Sequence, residues 1–147
     1  KPPGAWKFFQ KSTTLTAITV YILIVGLVFN VILRPLQHLA GLHSILTEIF
    51  HTVVPLLFLV YWWLFVSKHN LSWKQIPIWL IYPLIYMIYT MLHGKYSGFY
   101  PYPFVDVNKL GLSKAMTNGL FVLLSFIVLS IILISVAKLK HRNIPPR

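Results

Sequence analysis

The chain has 147 residues, of which 57% are hydrophobic and 10% charged, with a net charge of +11. So little charge cannot coat a soluble globule of this size, whose apolar share runs nearer to about 45–50%. The absence of cysteine excludes disulfides, thiol nucleophiles and thiolate metal sites together. The basic residues stand between apolar segments and not on one solvated face. Nucleic acid is therefore not an expected partner, and the pattern is that of a multi-pass membrane protein.

Four apolar segments follow in chain order: 13–33, 45–66, 76–92 and 120–137. Each approaches the ~20 residues that a helix needs to cross a hydrocarbon core of about 30 Å. Helices are expected because backbone groups in lipid must be paired within the segment. The expected fold is an all-α polytopic transmembrane bundle. Its spans fall at about 13–34, 45–67, 76–93 and 117–138, with an outer loop over 94–116, all in one transmembrane domain covering 1–147. In the third span Pro77 suits a first helical turn, and Pro83 is expected to kink the helix. No signal-peptide cleavage pattern follows the first segment.

Lysine and arginine set the expected orientation. Lys1, Lys7, Lys11, Lys68, Lys74, Lys138, Lys140, Arg142 and Arg147 fall on one side, and Arg34, Lys95, Lys109 and Lys114 on the other. This nine-to-four bias places both termini in the cytoplasm, and the cell membrane is the expected location. Trp62, Trp63, Trp73 and Trp79 gather near the cytoplasmic interface as belt residues do. The tail "KLKHRNIPPR" suits anionic lipid, although a plain topology signal is the better account of it.

Polar residues inside the spans form stripes. Ser44, Thr47, Glu48, His51, Thr52 and Pro55 share one face of the second span. A charged acid at mid-membrane costs about 2.5–3.5 kcal/mol and less near an interface, so this face should meet a bundle interior or a wet cavity. Tyr82, Tyr86, Tyr89 and His93 line one face of the third span, a pattern that tyrosine packing also produces. Asn30 and Arg34 lie one turn apart near the outer end of the first span. Thr117 and Asn118 open the fourth, whose Ser125, Ser130 and Ser135 suit helix packing. The loop that follows His93 carries Tyr100-Pro101-Tyr102-Pro103-Phe104, stiffened by two prolines, and then Asp106. It suits either a cap over an outer cavity or an interfacial anchor. The expected site therefore has Glu48 and His51 at its centre. Thr47, Thr52, Asn30, Tyr82, Tyr86, Tyr89, His93, Tyr100, Tyr102 and Asp106 are expected to line it.

"FHTVVP" in the second span, "LSWKQIPIWLIYPLIYMIYTMLHG" through the third and "GFYPYPFVDV" after it resemble the androgen-induced membrane protein family and its bacterial six-helix relatives. Leu33-Arg34 at the end of the first span adds to the resemblance, which covers most of the chain. Animal members hydrolyse fatty-acid esters of hydroxy fatty acids with a threonine and a histidine. The resemblance implies that this chain is the C-terminal part of a six-helix fold. His51 then takes the place of the histidine, and the threonine lies ahead of Lys1. Thr13, Thr14 and Thr16 do not qualify as nucleophile, because they sit at the opposite, cytoplasmic end.

The residues themselves leave three classes open. A threonine nucleophile needs a base, and a histidine held by an acid one turn away supplies one, so a lipid-ester hydrolase would use His51 as base and Glu48 to orient it. The bilayer and an apolar lipid substrate are its expected partners, with no cofactor; nothing in the pattern fixes an oligomeric state. A Glu48–His51 hydrogen bond that merely stitches helices is the bland counterpart. A small transporter or proton relay would use the Glu48/His51 stripe and the tyrosines, but the stripe fades toward the cytoplasmic half and no internal repeat is present. A metal site would draw on His38, His43, Glu48, His51, His93 or Asp106, but no short ligand motif occurs and no metal is expected.

Overall fold

A computed structural model of the protein describes residues 4–37 and 40–142; Lys1, His38 and Arg147 lie outside them. Regular structure among the described residues is entirely helical. In chain order the helices are α1 (Gly4–Phe9), α2 (Ser12–Leu36), α3 (Gly41–Phe65), α4 (Trp73–Ser97), α5 (Val107–Leu110) and α6 (Leu112–Arg142). Of these, α2, α3, α4 and α6 are long and apolar enough to cross a membrane. This is the all-α, four-span architecture that hydropathy predicts.

Their outward faces are made for lipid. Leu57 is 60% exposed, Ile85 61% and Phe65 73%. Large apolar side chains left open along whole helices cost nothing in hydrocarbon, whereas a soluble monomer rarely shows such contiguous surface.

Several boundaries differ from the sequence expectation: α3 starts at Gly41, not 45, α6 runs on to Arg142, and the connection between α4 and α6 changes most. Helix α4 runs on to Ser97 and α6 starts at Leu112, so the connection shrinks from 94–116 to a stretch that holds a 3-10 turn, Pro103–Val105, and α5. The reason lies in which glycine turns the chain. Gly98 and Gly111 take φ of 72° and 77°, a left-handed conformation that glycine adopts without penalty. Gly94 stays helical and is buried for another purpose, since Tyr100 packs where its Cβ would be, with ring carbons 2.1–2.4 Å from that position. After a 3-10 turn over Trp73–Gln75, the α-helical part of α4 begins at Ile76 with Pro77 in its first turn, and the helix continues through Pro83.

Packing divides the chain into two compact units, residues 1–73 with 129–147 and residues 74–128. The core of the first joins α2, α3 and the last turns of α6. Thr16, Thr19, Val20, Trp62, Ile134 and Ala137 are at most 1% exposed. Trp62 Nε1 donates to Thr16 Oγ1 at 2.9 Å, and Thr16 in turn donates to the Ser12 carbonyl at 2.7 Å. Each buried polar atom of that chain thus has a partner, as an apolar surround demands. In the second unit α4 packs on the first half of α6, where Met87 Sδ stands 2.8 Å from the place a Cβ on Gly119 would take. Asn118 Nδ2 ties α6 to the loop through the Phe104 carbonyl at 2.7 Å.

Candidate functional site

The first unit holds a polar centre between α2 and α3, built on two matching irregularities. Each helix widens into one π turn, Phe29–Leu33 in α2 and Ile49–Val53 in α3. The N–H of Arg34 bonds back five residues to Phe29, and that of Val54 bonds back five to Ile49. A proline follows each turn, Pro35 and Pro55. Proline has no N–H, and its ring crowds the carbonyl four residues earlier, so a helix relieves the clash by widening. Such bulges are uncommon and concentrate at functional sites.

Pro55 has a specific consequence. The carbonyl it leaves without a helical donor is that of His51. Asn30 Nδ2 takes up this oxygen at 3.1 Å from the neighbouring helix. Gly26 allows the approach, since a Cβ there would stand 2.8 Å from the His51 oxygen and 2.9 Å from Pro55 Cγ. A small residue under a bulge thus lets two backbones meet where a larger one would hold them apart.

Around this joint lies a charged network. Arg34 Nη2 donates to Glu48 Oε2 at 2.6 Å and to Thr52 Oγ1 at 3.3 Å. Thr52 Oγ1 donates to the same Glu48 oxygen at 3.0 Å and meets the Asn30 amide at 3.3 Å. The Arg34 and Glu48 side chains are 46% and 43% exposed, so the pair is open on one side. Glu48 is thus held by Arg34 and Thr52, not by His51 as the helical spacing suggests.

His51 has its own setting. Its ring stacks on Phe29, with centroids 4.3 Å apart and planes inclined by 29°. Its Nδ1 lies 2.9 Å from the Thr47 carbonyl oxygen. A carbonyl only accepts, so Nδ1 carries a proton, and in the neutral imidazole Nε2 then presents the lone pair. The backbone of its own helix therefore fixes the tautomer. Nε2 has no hydrogen bond among the described residues.

The second unit gathers the aromatic candidates. Tyr82, Tyr86, Tyr89 and His93 run up α4 with successive centroids 6.5, 6.4 and 5.7 Å apart. Tyr102 crosses edge-on to Tyr86 at 6.4 Å and their hydroxyls meet at 3.3 Å. Burial, then the hydrogen bond to Tyr86, pushes the Tyr102 phenol up to about 12. His93 Nδ1 lies 3.3 Å from Ser97 Oγ. Tyr100 covers Gly94. Asp106 caps α5, accepting from the N–H groups of Asn108 and Lys109 at 3.0 and 3.4 Å, with Lys109 Nζ at 3.6 Å. That is the ordinary duty of an aspartate before a short helix.

The structure thus brings together Asn30, Thr47, Glu48, His51 and Thr52 in one unit, and Tyr82, Tyr86, Tyr89, His93 and Tyr102 in the other. Sequence reasoning missed Arg34 as the partner of Glu48 and Phe29 as the platform for His51. It also passed over Thr90, whose hydroxyl is buried without a partner among the described residues. The signals for the first two were Pro35 and Pro55, each closing a span segment that carries a polar stripe. No group of three or more His, Asp or Glu side chains stands close enough to hold a metal ion among the described residues. No family model, curated protein or solved structure matches the chain.

Proposed function

We propose that this chain is the C-terminal, four-span part of a cell-membrane protein that hydrolyses apolar lipid esters, with His51 as general base. One observation carries the reading. The Nδ1–H of His51 is spent on the Thr47 carbonyl and its ring stacks on Phe29, so in the neutral imidazole the lone pair falls on Nε2 in a fixed direction. A base needs both a free lone pair and a fixed direction, and here it has both. In this reading Nε2 takes the proton of an attacking hydroxyl as its oxygen bonds to the ester carbonyl carbon. The same proton passes to the departing alkoxide as the ester C–O bond breaks. Water then releases the acid by the same route. The resemblance of the sequence supports a threonine ahead of Lys1 as the attacking group. Glu48 serves as the counter-charge of Arg34, clamping the helix that carries the histidine to α2. The nine-to-four distribution of basic residues supports cytoplasmic termini.

A non-catalytic reading has its own support, because Asn30 on the His51 carbonyl and Arg34 on Glu48 already form a helix clamp. A proton relay has less support, since Glu48 is committed to its ion pair with Arg34 at 2.6 Å and to Thr52. The test is product release. The protein, expressed with all that its gene encodes ahead of Lys1, is incubated in lipid nanodiscs with a fatty-acid ester of a hydroxy fatty acid. Mass spectrometry should detect both acids at a rate far above the ester's spontaneous hydrolysis. Equal rates with and without protein would leave the clamp as the whole role of this centre.

A further inference from the structure

The end of the first unit where α3 and α6 terminate carries three lysines on three tryptophans. Lys68 Nζ lies 4.4 Å from the Trp62 ring, Lys140 Nζ 4.3 Å from Trp63 and Lys138 Nζ 4.6 Å from Trp73. Lys68 follows α3 and folds back on its end, donating to the carbonyls of Trp62, Val66 and, at 3.2 Å, Trp63. Lys140 reaches the same Trp63 oxygen from α6 at 3.0 Å. Two ammonium nitrogens on one oxygen are no more than about 6 Å apart, and like charges at that range repel.

No side-chain carboxylate among the described residues neutralises them. The protein has two acidic residues. Glu48 is bound to Arg34 and Asp106 caps α5 beside Lys109. Neither acidic side chain is left to supply the counter-charge for the cluster. The donors to receive it exist. Lys68 spends its N–H groups on carbonyls, but Lys140 makes one hydrogen bond and Lys138 none among the described residues. Apolar surface adjoins the charges, with Leu64 61%, Phe65 73% and Leu139 60% exposed. Indole rings with ammonium groups over them, at the end of a membrane-length helix, sit at headgroup depth.

We infer that Lys138 and Lys140, with Lys68 held beside them, bind the phosphate of an anionic phospholipid headgroup, whose acyl chains lie along Leu64, Phe65 and Leu139. The site is independent of any chemistry at His51. It is a phosphodiester site of the leaflet that faces the C-terminus, and Trp63 and Trp73 hold the two lysines upright for it.

The test is lipid retention by the full-length protein in native mass spectrometry, from micelles holding equal amounts of phosphatidylglycerol and phosphatidylcholine. The wild type should retain phosphatidylglycerol at least tenfold over phosphatidylcholine. Each basic residue near a lipid surface is worth roughly fivefold, so Lys138→Gln with Lys140→Gln should lower that retention about 25-fold. The same pair changed to arginine should keep it. Inorganic phosphate at millimolar concentration should not bind on its own. Equal retention of the two lipids by the wild type would overturn the inference without recourse to any variant. So would a preference that survives the glutamine pair, and binding of inorganic phosphate as tight as that of the lipid would assign the cluster to a free anion instead.

Discussion

Arg34 on α2 and Glu48 on α3 form an ion pair of 2.6 Å. It uses one of the two acidic side chains of this sequence. Thr52 and Asn30 extend it, and Asn30 also holds the carbonyl that Pro55 leaves free. The pair therefore locks the two helices at the level of their π turns, which is where His51 projects.

The pair should matter more than an exposed one in water, because removing one member leaves the other charged near hydrocarbon. Arg34→Gln or Glu48→Gln should each destabilise the bundle by about 1–3 kcal/mol, between the values for surface pairs and for lone intramembrane charges. The double variant should lose less than the sum of the two. Reversible unfolding in mixed micelles measures all three. Strict additivity would show that the two residues do not interact.

Gly26→Ala should separate the same helices by steric means. The new methyl group would lie 2.8 Å from the His51 oxygen, a backbone atom that cannot step aside. The expected cost is about 1–3 kcal/mol. Cysteine cross-linking between the neighbourhoods of Asn30 and Thr52 should slow in step with it. An alanine variant as stable as wild type would mean that the helices are farther apart here.

The spans were legible in the sequence because hydropathy over some twenty residues depends on little else. Their ends were less so. Gly94 reads as a helix breaker, yet it is helical because Tyr100 needs its empty side, a contact that only the folded loop creates. The polar stripe was found with a period of 3.6, and a π turn breaks that period. With five-residue bonding at Ile49–Val53, Glu48 and Thr52 meet Arg34 while His51 turns to Phe29. The partner of Glu48 lay on another helix, and spacing within one helix cannot reveal it. Asp106 was visible as a rare acid, but its capping duty follows from α5, too short to stand out by periodicity.

Lys68 should titrate apart from the other lysines. Burial first, and Lys140 second, lower its ammonium from 10.5 to about 8. The folded protein thus holds this proton less tightly than the unfolded chain does. Its cost to the fold is full below pH 8 and disappears as pH rises toward 10.5, so stability rises across that window. Carbon-13 dimethylation of lysines followed by NMR in zwitterionic micelles should show one resonance with a midpoint near 8. Lys140→Gln should move it part of the way up, because burial remains. A Lys68 signal that titrates with the bulk of the lysines would refute the assigned setting.

The charge bias makes a topological prediction. Reporters fused after Arg147 and inserted near Lys109 should report opposite sides of the membrane, with the C-terminal one cytoplasmic. Two reporters on one side would rule out the four-span arrangement.

The most direct test of the central claim is the rate of ester hydrolysis by His51→Ala in the full-length protein. Loss of a general base typically slows turnover by about 10²–10⁴-fold. The account predicts a fall in that range for a fatty-acid ester of a hydroxy fatty acid. Glu48→Gln, which weakens the clamp but leaves the imidazole and its Thr47 contact, should fall less. Tyr86→Phe, in the aromatic ladder, should change little. A His51→Ala protein that hydrolyses the ester at the wild-type rate would contradict the account and leave His51 a packing partner of Phe29.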